Sequence, residues 1–178
     1  MWIGSNRGGH GYDVYVATRP TFTGTWSTPQ LVTAVNSAYD DFPSGVSEDG
    51  LAMMVTTTRA SMGQRPYDLY EATRTSASTD WTTIRAVDEL NTRDYEESIG
   101  SLSADGLRVY FVSNVGGTTD LYTATRSTRR DPFAEATKIM ELSGVKNESH
   151  PFISADERHI LFTSDRLGTP TDIFESTR

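Results

Sequence analysis

Four times the chain returns to one seven-residue phrase: DVYVATR from Asp13, DLYEATR from Asp68, DLYTATR from Asp120 and DIFESTR from Asp172. The closing arginines, Arg19, Arg74, Arg126 and Arg178, are spaced 55, 52 and 52 residues apart. Self-similarity at this period restricts the chain to repeat architectures, because a unit of this size cannot bury its apolar faces alone and must stack on copies of itself. The register holds outside the phrase. Seven residues after the first three arginines come Trp26, Trp81 and Phe133, and six further on Val32, Val87 and Ile139.

Upstream of the later phrases lie GVSEDG, SLSADG and FISADE, with Ser47, Ser103 and Ser154 each two residues before Asp49, Asp105 and Asp156. Gly50 and Gly106 complete Asp-Gly pairs that favour tight hairpin turns. The last copy has Glu157 there, which predicts a turn type that tolerates a side chain. After each turn apolar residues alternate (Leu51, Met53, Val55; Leu107, Val109, Phe111; Ile160, Phe162), the period of a strand. Polar, glycine-bearing loops follow, SNRGGHGY, TTRASMGQRPY, SNVGGTT and SDRLGTPT, and then the Asp-led phrase. In the phrase Val14, Leu69, Leu121 and Ile173 stand beside Tyr15, Tyr70, Tyr122 and Phe174, which suits a strand covered on both faces. Its Asp is expected to cap a turn by accepting backbone N–H bonds, and its Thr-Arg pair to close the strand with an exposed polar edge. Each repeat thus reads as about four short antiparallel strands: all-β, with the blades of a β-propeller.

The order Ser-x-Asp-Gly, strand, SNR or SDR with a glycine loop, then Asp-x-aromatic resembles the TolB-type, WD40-like β-propeller repeat, over nearly the whole chain. Pro43 and Pro151 match a proline common near the first strand of that family, with Ile99 or Gly100 near its place in the middle copy; Glu48, Ala104 and Ala155 stand where the family usually has proline. The resemblance implies a binding or interaction role and an envelope or extracytoplasmic setting.

Repeats of roughly 1–36, 37–91, 92–143 and 144–178 give a single partial propeller of about three and a half repeats: three strands, two full repeats, then three strands. An open arc exposes blade faces and strand edges, so self-association is the expected relief, two copies closing a ring with an even number of blades about a twofold axis.

Composition narrows the partners. A chain of 178 residues, 36% hydrophobic, is long enough for one substantial core. A formal net charge of −8 without a basic cluster argues against nucleic acid. There is no cysteine for disulfides or thiolate metal sites. No run of eighteen apolar residues suggests a membrane span, and the start MWIGSNRGGHGYD lacks a secretory pattern, so a soluble chain without an export signal is expected.

Candidate chemistry gathers on one register position. Six residues before Ser47, Ser103 and Ser154 stand Asp41, Glu97 and Glu148, preceded by Asp40, Glu96 and Asn147. The first strand of a blade lies innermost, so these acids are expected to enter the central channel from one rim. With His150 they offer an oxygen and nitrogen set for zinc, manganese or calcium. The bland alternative is an acidic rim held by arginine and backbone donors. His10 and His159 read as surface residues. There is no GxSxG, HExxH, EF-hand or phosphate-loop motif, so no catalytic residue is assigned. Two functions stay open: an interaction module offering loops and an acidic channel to a protein, peptide, glycan or small molecule, or a metal-dependent hydrolase or lyase of the ester and phosphoester class, with Asp41, Glu97, Glu148 and His150 on an axial cation.

Overall fold

The computed structural model describes residues 1–59, 67–168 and 171–177. Arg178 and parts of the TTRASMGQRPY and SDRLGTPT loops lie outside the described residues. All regular structure among the described residues is β, in four antiparallel sheets. The first holds β1 (Trp2–Ser5), β2 (Asp13–Val16) and β3 (Gln30–Leu31). The second holds β4 (Asp41–Val46), β5 (Ala52–Thr57), β6 (Asp68–Thr73) and β7 (Thr83–Ala86). The third holds β8 (Glu97–Leu102), β9 (Arg108–Ser113), β10 (Asp120–Thr125) and β11 (Thr137–Lys138). The fourth holds β12 (Glu148–Ile153), β13 (His159–Ser164) and β14 (Asp172–Thr177). Strands within each sheet follow chain order, so every link is a hairpin between neighbours.

Sheets stack face to face in sequence order, and among the described residues no strand of the first sheet touches one of the fourth. The alternation of the second strand explains the stacking. In β5, Met53 and Val55 join Val14, Val35 and Trp81 on the first-sheet side, while Ala52 and Met54 join Leu69, Leu102, Val109 and Phe111 on the third-sheet side. The third and fourth sheets meet through Tyr110, Ile153 and Ile160, and through Val112, Leu121 and Phe162. Each fully buried side chain of this size contributes about 1.5–3 kcal/mol. Near the axis the innermost strands approach backbone to backbone. A Cβ on Gly45 of β4 would sit 2.7 Å from the Gly100 carbonyl oxygen of β8, so only glycine fits there.

The hairpin turns are built alike. The hydroxyls of Ser47, Ser103 and Ser154 donate to the carboxylates of Asp49, Asp105 and Asp156 at 2.7, 2.7 and 2.6 Å, and accept from the N–H groups of Ala52, Arg108 and His159. The different turn expected at Glu157 is not found. Glu157 takes a left-handed φ of 55°, beside 69° at Gly50 and 72° at Gly106. Its carboxylate accepts from the Tyr110 hydroxyl at 2.9 Å and Arg108 Nε at 3.0 Å, contacts that offset the strain.

The closing arginines are not simply an exposed edge. Arg74 and Arg126 donate through Nε to the Gly50 and Gly106 carbonyls of the preceding hairpin turn and stack over Trp81 and Phe133 at 4.5 and 4.3 Å. Arg19 stacks over Trp26 at 4.4 Å. This cation–π pair accounts for the seven-residue spacing of arginine and aromatic. The phrase's Asp differs from expectation too: Asp120 is held by Lys138 Nζ at 2.7 Å and the Thr118 hydroxyl at 3.1 Å rather than by backbone N–H groups.

Candidate functional site

The repeated acids Asp41, Glu97 and Glu148 are hydrogen-bonded to residues of their own blades. Each is almost wholly buried in its own blade, where it clasps the loop entering that blade. Asp41 accepts from Ser37 N–H and hydroxyl and pairs with Arg59. Glu97 accepts from Thr92 N–H and hydroxyl and from the Ser113 hydroxyl at 2.8 Å. Glu148 accepts from Gly144 N–H, from the Ser164 hydroxyl at 2.8 Å and from Arg166 at 3.1 Å. One residue before each loop donor, Asn36, Asn91 and Ser143 receive the N–H of Val14, Leu69 and Leu121, tying the same loop to the phrase strand. The acids therefore join first strand, second strand and entry loop. Among the described residues no group of three or more His, Asp or Glu side chains is placed to hold an ion. His150 is exposed, its Nδ1 3.2 Å from the Thr163 hydroxyl, and it lies apart from this clasp. His10 and His159 are at the surface.

Glu97 differs from its two counterparts. Where they have Arg59 and Arg166, its blade has Val115, and among the described residues no cation is hydrogen-bonded to it. Burial pushes its carboxyl above the ordinary range, against the lowering effect of the Thr92 and Ser113 bonds, and Asp68 adds to the rise.

A different group of residues forms an open cleft. Between the second and third sheets, reaching the fourth, lies a cleft of ≈ 490 Å³. Phe42, Pro43, Tyr67 and Ile99 supply its apolar lining, and Ser44, Thr56, Ser98 and His150 its polar groups. Among the described residues no carboxylate lines it. The innermost strands are bulged here, between Pro43 and Gly45, Ser98 and Ser101, and Ser149 and Phe152. At two of the bulges Ile99 and His150 hold left-handed φ angles of 51° and 53°. For a β-branched residue such as Ile99 this is a true outlier, costing on the order of 1–3 kcal/mol. The Ile99 N–H donates to Thr56 Oγ1 at 2.7 Å, and that hydroxyl also meets Ser44 Oγ at 2.7 Å, so the strain is locked in by the neighbouring blade. An aromatic run leads outward: Phe42 lies 6.2 Å from Tyr67 and 4.8 Å from Tyr12, centroid to centroid.

Neither Ile99 nor Tyr67 stood out in the sequence as a site residue. The departure from proline at Ile99 was the one available signal, because a positive φ is forbidden to the proline that the repeat elsewhere carries nearby.

No family profile and no curated protein matches the sequence. Solved structures do match in shape. A putative TolB from Agrobacterium tumefaciens superposes with a TM-score of 0.65 at 17% identity, over 99% of this chain and 56% of that one. TolB from Acinetobacter baumannii gives 0.63 at 18% identity, over 99% of this chain and 38% of that one. A Hadza microbial sialidase gives 0.56 at 13% identity, over 93% of this chain and 38% of that one. The chain thus has a TolB-type β-propeller fold and spans between about two fifths and just over half the length of these structures.

Proposed function

We propose that the chain is an interaction module whose axial cleft receives an uncharged, partly apolar segment of a protein, peptide or glycan. The observation that carries this reading is the pair of strained residues, Ile99 and His150, aimed into one cleft beside the Phe42–Tyr67 aromatic pair. Strain of this kind persists where surrounding structure enforces it, and it gathers at ligand sites. Aromatic faces with hydroxyls between them suit planar apolar groups and sugar rings, while orienting polar contacts come from Ser44, Ser98 and His150. The repeated acids each accept hydrogen bonds within their own blades, and no observation among the described residues favours the hydrolytic reading. The TolB likeness supports an interaction role by fold analogy. No helix among the described residues is long and apolar enough to cross a membrane.

The test is a titration of isotope-labelled protein with a panel of neutral oligosaccharides and proline- or aromatic-containing peptides. Some member is expected to shift Phe42, Tyr67, Ile99 and His150, and Tyr67→Ala to abolish those shifts. A panel that perturbs only other surfaces sinks the cleft as the site. The same reading includes a second copy of the chain on the bare outer faces of the first and fourth sheets, closing the ring, which solution mass measures directly.

A further inference from the structure

We infer that the third sheet carries a guanidinium-binding site, made by the Glu97 carboxylate, the Leu90 carbonyl, the Ser113 hydroxyl and the Tyr122 ring, which takes an arginine side chain of a peptide or a small guanidinium compound. The site shares no residue with the axial cleft and does not rest on the reading given for it.

In the second and fourth sheets, on either side, the same position is filled from within the chain. Two residues after Thr57 and Ser164 stand Arg59 and Arg166, and both make one set of contacts. Nε donates to the Thr57 or Ser164 hydroxyl oxygen at 3.3 or 3.1 Å. A terminal nitrogen donates to the carbonyl of Val35 or Leu142, in the loop entering the blade, at 2.6 Å in both cases, and to the clasp acid Asp41 or Glu148. The guanidinium carbon lies over the ring of Tyr70 or Phe174 at 5.0 or 4.9 Å.

The third sheet repeats the receiving half of this arrangement. Val115 takes the arginine's place in the backbone, its N–H donating to Ser113 Oγ at 3.3 Å as the N–H groups of Arg59 and Arg166 donate to Thr57 and Ser164 at 3.2 Å. Ser113 Oγ donates to Glu97 at 2.8 Å, as Ser164 does to Glu148. Leu90 answers to Val35 and Leu142: its N–H and that of Asn91 both donate to the Val87 carbonyl, as the corresponding pairs do to Val32 and Ile139. Phe111 and Tyr122 lie 5.8 Å apart, centroid to centroid, as do Phe162 and Phe174. Valine has no side-chain donor, however, and among the described residues no cation stacks on Tyr122 or bonds Glu97.

A second acceptor on the same face also lacks a donor. Asp120 pairs with Ser113 on the side opposite Glu97, so the three side chains share one face of the sheet. Its Oδ2 is held by Lys138 and Thr118, but Oδ1 is buried with no hydrogen-bond partner among the described residues. Carboxylates buried without enough donors are costly, and a guanidinium brings several N–H groups in one plane. The place is reachable from solvent, since the Arg59 and Arg166 side chains are 16% and 34% exposed and Val115 is half-buried. A carboxylate and a carbonyl beside an aromatic ring select a planar guanidinium over an ammonium group.

The probe is N-acetyl-L-arginine methylamide, titrated into the isotope-labelled full chain at neutral pH. Saturable shifts are expected at Leu90, Glu97, Ser113, Val115 and Tyr122, and none there from the lysine counterpart. Glu97→Gln should weaken binding about tenfold or more, and Val115→Arg should abolish it by supplying the guanidinium from within the chain. If Val115→Arg does not fold, Glu97→Gln alone carries the comparison. Methylguanidinium and the peptide Gly-Gly-Arg-Gly-Gly separate the sources: tighter binding of the peptide assigns the site to a partner's arginine, and equal binding assigns it to small guanidinium compounds. The proposal is overturned by absence of saturable binding, by shifts confined to other surfaces, by a lysine compound that binds as well, or by a folded Val115→Arg protein that still binds.

Discussion

The strands β6 and β14 carry nearly the same sequence, DLYEAT and DIFEST, in the same place in their sheets, yet they live in different environments. In β6, Leu69 is 0% exposed and Glu71 1%; in β14, Ile173 is 77% exposed and the Glu175 side chain 57%. Leu69 packs into the core shared by the second and third sheets, while Ile173, with Leu161 and Phe152, looks out from the bare side of the fourth. Glu71 is gripped by Arg126 at 2.6 and 3.0 Å and by Arg85 at 3.1 Å, within a cluster completed by Glu89, whereas Glu175 has an exposed partner in His159. The code of a strand in a repeat protein is thus written for a neighbour, and its energy is realised only where the neighbour is present.

The sharpest way to break this comparison is to remove the two glutamates. Glu71→Ala leaves Arg126 buried without its counter-charge and should cost about 3–5 kcal/mol, while Glu175→Ala should cost at most about 1 kcal/mol. Equal losses in chemical denaturation would mean that the two sheets are energetically alike. Next in size, Leu69→Ala is expected to cost about 2–5 kcal/mol and Ile173→Ala a few tenths, read from the same curves. If a second copy covers the fourth sheet, Ile173→Glu should halve the mass measured by light scattering; a mass already that of one chain removes that occupant.

The smallest effect separates the clasps themselves. Because burial raises the Glu97 carboxyl and no arginine among the described residues offsets it, the stability contributed by its protonated form is full below the ordinary carboxylate range and is lost as pH rises through its raised value. Glu97→Gln should therefore flatten the stability profile in that window and leave the protein no less stable at neutral pH. Asp105 behaves oppositely. The Ser103 and Leu107 bonds lower its carboxyl, so its contribution is present above the ordinary range and fades as pH falls through the lowered value. A Glu97→Gln profile identical to that of the parent chain would mean that the missing arginine has no energetic consequence.

Much of the fold was legible because stacking blades pose the same packing problem each time and so repeat their answers. The Ser-x-Asp turns, the phrase strands and the arginine-to-aromatic spacing are all local. The clasp acids show where legibility stops. Register placed Asp41, Glu97 and Glu148 at the start of innermost strands, but not the direction of their side chains. The loops that hold them left a trace, a hydroxyl residue or glycine four or five positions upstream (Ser37, Thr92, Gly144) that follows Asn or Ser, and that pattern is readable only once the loop is known to fold back.

By itself, then, the sequence determined the repeating all-β unit, its four-stranded period and its turns, since these depend on side-chain alternation and on bonds between residues close in the chain. Tertiary structure alone decided that the acids turn onto the entry loops of their own blades, that Glu157 takes a glycine's conformation, and that Ile99 and His150 are strained into a common cleft. The acids turn on a loop that folds back within each blade, while Glu157 and Ile99 are held by what the neighbouring blade supplies across a sheet interface, and partners brought together by stacking leave no fixed spacing in the chain.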